Sequence, residues 1–160
     1  MADVISGRMT HDYDGDLVVF LIGMRINKPW RPDLWFPVFS AMPAMLAELS
    51  KDNESGLLGY RVTFGAGGPL VVQYWNSHEK LYRFASDRNA AHRPAWAAFN
   101  RLARKAPGAV GIWHETYVAE RAESIYSGMP ASGLAAATSV VPAARRGETA
   151  AERLGLRQAA

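Results

Sequence analysis

The chain has 160 residues, 49% of them hydrophobic and 21% charged, with a formal net charge of +3. That is the size and balance of one globular domain with a core of its own. No cysteine is present, which excludes disulfides and thiolate metal sites and accords with a reducing cytoplasm. Basic residues are spread along the chain without interleaved aromatics, so a nucleic-acid surface is not expected. No apolar run reaches the roughly 18 residues of a membrane span, and no membrane partner is expected. The apolar stretch from Leu17 to Met24 has no basic flank before it and no small-residue cleavage site after it, so no secretory leader is expected.

Residues 1–15 are polar and without periodicity, and read as a flexible arm. Residues 17–26 read as a strand with two apolar faces: Val18, Phe20, Ile22 and Met24 on one, Leu17, Val19 and Leu21 on the other. A strand buried on both sides belongs at the centre of its sheet. Pro32 suits a helix start and Gly56 a stop. Leu34, Val38, Met42, Met45, Leu46 and Leu49 recur between them at helical spacing, with Pro43 expected to kink the helix. Residues 57–64 and 69–75 flank Gly65-Ala66-Gly67-Gly68, a hairpin signal. No lysine or helix start follows those glycines, so a phosphate loop is excluded. Ser77 caps a helix starting near His78. Its pattern pauses at Asp87-Arg88-Asn89, resumes at Pro94 and ends at Lys105-Ala106-Pro107-Gly108. The last strand is 109–119.

The order strand-helix-strand-strand-helix-strand over residues 16–120 predicts a ferredoxin-like α+β domain. Helices then cover one sheet face, and the doubly apolar first strand needs a second cover. A second copy of the chain is the simplest supplier, giving a homodimer with two sheets face to face. Residues 121–137, with Ile125, Tyr126, Met129 and Leu134, read as an ordered wrapping extension. Residues 138–160 read as a mobile tail rich in Ala and Arg.

Several segments together resemble a known family. They are Pro29-Trp30, Trp35, Met42 to Leu46, Tyr74-Trp75, His92 with Trp96 and Phe99, Gly111 to Tyr117, and Tyr126 with Met129-Pro130 and Gly133-Leu134. The pattern, over roughly residues 15–137, is similar to the DUF4188 family, also described as monooxygenases related to the small oxygenase of fumagillin biosynthesis. The resemblance implies a dimeric α+β barrel like the antibiotic-biosynthesis monooxygenases. That superfamily includes cofactor-free oxygenases, haem-degrading enzymes, haem-dependent dehydratases and chlorite dismutase-like proteins.

The segment Gly111-Ile112-Trp113-His114-Glu115-Thr116-Tyr117 carries most of the chemistry. Strand alternation puts His114 on one face with Val110, Ile112, Thr116 and Val118, pointing into an apolar layer. Trp113, Glu115 and Tyr117 share the other face, so His114 and Glu115 cannot pair. His114 fits a general base, a haem ligand, or a core histidine bonded to a carbonyl. The resemblance implies that His92 is the likelier iron ligand if haem binds, because haem-degrading relatives draw it from this helical region. Tyr74, Trp75, Trp96, Phe99 and Tyr117, with Trp113, could line an aromatic substrate pocket or simply form core. Glu115 fits a salt bridge to Arg25 or Arg61, or a dimer contact. His11 and His78 receive no role, and no metal site or nucleotide fingerprint appears.

Three functions follow as expectations. The first is a small monooxygenase-like oxidoreductase acting on an apolar aromatic or polyene intermediate between sheet and helices. It needs no cofactor and uses His114, His92, Trp113 and Glu115 at the site. The second is a haem b-dependent oxygenase or dehydratase with His92 or His114 on the iron. The third is a non-enzymatic dimeric module that binds an apolar ligand.

Overall fold

The computed structural model describes residues 3–87 and 92–156, the side chain of His92 excepted. In chain order the elements are β1 (Ile5–His11), β2 (Leu17–Ile26), α1 (Pro32–Lys51), β3 (Leu57–Gly65), β4 (Gly68–Trp75), α2 (His78–Ser86) and α3 (His92–Lys105). They continue with β5 (Val110–Ala119), β6 (Tyr126–Met129), α4 (Gly133–Ala137), β7 (Val140–Pro142), a short 3-10 turn and α5 (Ala150–Arg153). From β2 to β5 the order and the antiparallel sheet β3-β4-β2-β5 are the ferredoxin-like arrangement. The doubly apolar β2 lies inside that sheet, as its sequence requires, and β3 and β5 are the edges. The long helical stretch is two helices, α2 and α3; Arg88 and Asn89 of the predicted pause lie outside the described residues. Helix α1 runs as one 20-residue element through both Pro37 and Pro43.

Cross-strand register decides which side chains share a face. Val18 of β2 stands opposite Trp75 of β4 and Val118 of β5. On that face Val18, Trp75, Leu49 of α1 and Leu81 of α2 form the core cluster, with Phe20, Leu57 and Phe84 against it. Trp75 is wholly enclosed. Its indole N–H donates to Gln73 Oε1 at 2.9 Å, which satisfies two buried polar groups at once. Ser77 caps α2 by accepting from the Lys80 N–H, and so fixes Leu81 over Trp75.

The termini build a second sheet, β6-β1-β7. Segment 1–15 is therefore not a bare arm: β1 is the central strand, and its partners come from residues 126–129 and 140–142. The stretch after residue 138, read as a tail, contains β7 and α5, whose Thr149 and Glu152 form a capping box. Arg146 holds Asp12 at 3.1 Å and Asp14 at 2.6 Å, while Arg153 engages Glu123 at 2.5 Å. Thr10 is buried and donates to the Ser124 carbonyl at 2.7 Å. Residues 121–137 contain β6 and α4. Helix α4 sits on the sheet face away from α1, where Ala137 leaves no room for a side chain at Gly59. Part of the second cover expected from a partner is thus supplied by the chain itself.

Two outcomes follow. Trp75→Ala should cost about 3–5 kcal/mol in denaturant unfolding, the range for a large aromatic removed from a closed core. The second concerns His11, which is buried with its ring Nδ1 2.8 Å from Ser124 Oγ. Burial, then the charge of Arg146, pushes its pKa below the ordinary 6.5. The unfolded chain therefore binds the extra proton first as pH falls. Stability should be complete above 6.5 and decline as pH drops through that value toward the folded pKa. A pH series of thermal melts should show this decline, and His11→Gln should flatten it.

Candidate functional site on β5

Strand β5 pairs with β2 over ten consecutive positions, Leu17 opposite Ala119 through Ile26 opposite Val110. This register places Ile22 opposite His114, Phe20 opposite Thr116 and Val18 opposite Val118. The His114 ring lies 5.7 Å from that of Phe20, tilted by 39°. His114 is on the helix side of the sheet, as alternation predicts, but it is exposed rather than buried. The reason is its place on an edge strand. Helix α1 packs on β3 and α3, and α2 packs on β4. Helix α3 covers only the start of β5, where Phe99, Leu102 and Ala103 meet Leu34, Ala109 and Val110 around a gap of about 10 Å³. Beyond that end, Ile22, Phe20 and Thr116 flank the imidazole on the same face, and Val118, two positions past Thr116, extends that face and is 70% exposed.

The opposite face of β5 carries different chemistry. The Trp113 indole lies across Gly23, its partner on β2, and fills the space that a side chain at 23 would need. Tyr117 Oη donates to Glu115 Oε2 at 2.7 Å. Glu115 thus accepts from a tyrosine two positions along its own strand instead of an arginine. Its carboxylate raises the Tyr117 pKa above the ordinary tyrosine value, first through the hydrogen bond and then through its charge. Tyr74 is also on this face, beside Gly133 of α4, and burial raises its pKa. Tyr126 Oη accepts from the Ala135 N–H at 3.3 Å.

The expected site residues therefore divide. His114 stands on the helix side. Trp75 shares that side but is closed into the core and offers no surface to a substrate. Trp96 and Phe99 stack on α3 with ring centroids 5.3 Å apart, and Trp96 is 50% exposed. Trp113, Glu115, Tyr117 and Tyr74 face away from α1, α2 and α3, on the side that carries α4. A single pocket lined by all of these aromatics is ruled out by the pleat. The side chain of His92, the first residue of α3, lies outside the described residues. Phe20, Ile22, Thr116 and Val118 were not singled out from sequence. Alternation along β5 groups two of them with His114; the other two come from pairing across strands, which no local pattern encodes. Among the described residues, no group of three His, Asp or Glu side chains is placed to hold a metal.

Comparison with known proteins gives a family model, monooxygenase af470-like, that matches residues 17–134. The chain is 29% identical over 149 residues to monooxygenase af470 of Aspergillus fumigatus. That match covers 79% of this chain and 52% of the relative, so the chain spans about half of the relative's length. SnoaB, a cofactor-independent oxygenase from Streptomyces nogalater, overlaps 68% of this chain and 97% of its own at 14% identity, with a TM-score of 0.46. A dimeric ferredoxin-like protein of unknown function from Thermobifida fusca overlaps 68% of this chain and 95% of its own at 16% identity and TM-score 0.46. The matched segment runs from β2 to the start of α4 and contains the whole ferredoxin-like sheet, and by it the chain belongs to the monooxygenase af470-like family.

Proposed function

We propose that the chain is a small monooxygenase-like oxidoreductase that takes an apolar aromatic or polyene intermediate on the helix side of β2 and β5. One observation carries the reading: an exposed imidazole set in an apolar floor, with the Phe20 ring 5.7 Å away. Exposed apolar surface gathered around one titratable group is what a site for a flat apolar substrate needs. A neutral His114 can take a proton from an acidic C–H or phenol O–H on such a substrate. The substrate anion that results is electron-rich enough to reduce O₂ itself, so this route needs no cofactor. Phe20, Ile22 and Val118 would exclude water from that anion, and Thr116 supplies a hydroxyl beside the base. The family's monooxygenase name and the DUF4188-like pattern around Gly111 to Tyr117 support the same reading. The absence of cysteine accords with action in the cytoplasm.

Haem b is the alternative that the resemblance raised. Among the described residues, the gap at the α3 end of the helix–sheet layer is about 10 Å³, room for no more than a water. Among the described residues, no wall stands opposite His114. The described residues do not fit a porphyrin.

On the other face, Trp113 is 41% and Tyr117 54% exposed, while α4 packs on β3 beside Tyr74. With Val19 and Leu21 of β2 they make an apolar strip that we assign to a second copy of the chain.

His114→Ala should lower O₂ uptake on an anthrone-type substrate at least about a hundredfold, the scale of a lost general base. His78→Ala, on the exposed start of α2, should leave it unchanged. Equal rates in both variants would remove His114 from the chemistry. A saturable Soret band on haemin titration, lost in His92→Ala, would replace this account with the haem-dependent one. Ligand binding without O₂ uptake would leave a non-enzymatic module. Light scattering should find a dimer that Tyr117→Arg converts to monomer; a monomeric unmodified chain would contradict the second copy.

A further inference from the structure

One pole of the molecule combines exposed aromatics with cations. The aromatics form a connected row across α1 and β3. Phe64 near the end of β3 lies 6.3 Å from Phe39, Phe39 lies 6.4 Å from Phe36, and Trp35 lies 6.0 Å from Phe36. Trp35 donates its indole N–H to the Pro29 carbonyl at 3.1 Å, which brings Trp30 to the end of the row. Burial does not explain it: Trp30 is 71%, Phe36 56% and Phe64 71% exposed. Large aromatics left this open beside one another mark an interaction surface.

The chain brings its cations to the same pole. The N–H of Ile26 donates to Gly67 in the β3–β4 turn at 2.9 Å, and that of Asn27 to Ala109 just past α3 at 3.0 Å. These bonds set Lys28 and Arg31 beside the end of α3, whose last turn carries Arg104 and Lys105, while Arg25 lies at the same end of the sheet on its reverse face, against Gly67 and Gly111. Asp33 is the carboxylate in the first turn of α1, and Arg31 engages it with two hydrogen bonds of 2.8 and 2.7 Å. Those bonds, then more weakly the charge of Lys105, hold its carboxyl below the usual range. Among the described residues, Arg25, Lys28, Arg104 and Lys105 form no ion pair. The modest net charge of the whole chain conceals this gathering, because Asp12, Asp14 and Asp16 lie beyond the opposite end of β2.

We propose that this pole docks on an anionic lipid surface, with Trp30, Phe36 and Phe64 entering the headgroup layer and Lys28 and Lys105 meeting its negative charge. Aromatic side chains prefer that depth, and each nearby cation adds attraction to anionic lipid. A second copy is the weaker occupant. A twofold contact sets like patch on like patch, so the same unpaired cations would face one another. The inference revises the sequence expectation of no membrane partner, which considered only spanning helices. No helix among the described residues is long and apolar enough to cross a membrane. Surface docking would let the chain meet an apolar substrate where it partitions, but it stands independently of the proposed chemistry.

The test is co-sedimentation of the purified chain with phosphatidylcholine vesicles, plain or with about a third phosphatidylserine. We expect binding to the anionic vesicles, little to the neutral ones, and weakening at high salt. The triple change Trp30→Ser, Phe36→Ser and Phe64→Ser should reduce binding at least about tenfold, as should Lys28→Glu with Lys105→Glu. These residues are exposed, and melts matching the unmodified chain would show that the fold is kept. Quenching of tryptophan fluorescence by brominated lipid, read on the unmodified chain, gives a second measure that needs no variant. Absence of binding and quenching with anionic vesicles would overturn the proposal. So would a triple variant that still sediments normally, or one that loses self-association in light scattering without lipid, which would assign the pole to a second copy.

Discussion

Ten consecutive cross-strand pairs lock β5 against β2, and that register sends each β5 side chain to one side of the sheet or the other. A slip of one residue would exchange every side chain between faces. With the observed pairing, His114 joins Phe20 and Ile22 on the helix side of the sheet, and Trp113 joins Gly23 on the reverse. The core depends on the same register, because Val18 must lie between Trp75 and Val118 for Leu49 and Leu81 to close over it. Packing and site geometry are thus two readings of one ladder. Core energy from the Trp75 cluster holds β2 in place, and β2 in turn aims β5.

An edge strand gives His114 its exposure. Among the described residues, the three helices close over β3, β4, the Val18 end of β2 and the first residues of β5, and the helix side of β5 at His114 stays open. On the reverse face the C-terminal extension does the covering. Glycines at 59 and 133 let α4 approach β3 and the Tyr74 hydroxyl closely, and the Tyr126 hydroxyl bonds its backbone. That cover stops short of Trp113 and Tyr117. The molecule therefore presents an apolar floor around a base on one side and an aromatic strip on the other, separated by a single strand.

Much of the ferredoxin-like domain was legible because its signals are local. Period-two and helical hydrophobic patterns marked β2 and α1, the Gly65 to Gly68 cluster marked the β3–β4 hairpin, and Ser77 marked the start of α2. The second sheet was illegible for the opposite reason. Ile5 to His11 is largely polar, and it is a strand because β6 and β7, more than 100 residues away, pair with both of its edges. Ion pairs from Arg146 to Asp12 and Asp14 add ties that no periodicity announces. At the site, alternation correctly separated His114 from Glu115. The exposure of His114 was missed because nothing local reveals that a strand is an edge. Tyr74 and Trp75, adjacent on β4, point to opposite faces by the same pleat and cannot share a pocket.

In this proposal β5 divides its work between its faces, with substrate on the His114 side and a second copy on the Trp113 side. The most direct test is a crystal structure of the chain with an anthrone-type ligand. The ligand should lie against Phe20, Thr116 and the His114 imidazole, and a second copy should be seated on Trp113 and Tyr117. A ligand stacked on Trp113 across Gly23, with His114 facing only solvent, would contradict it.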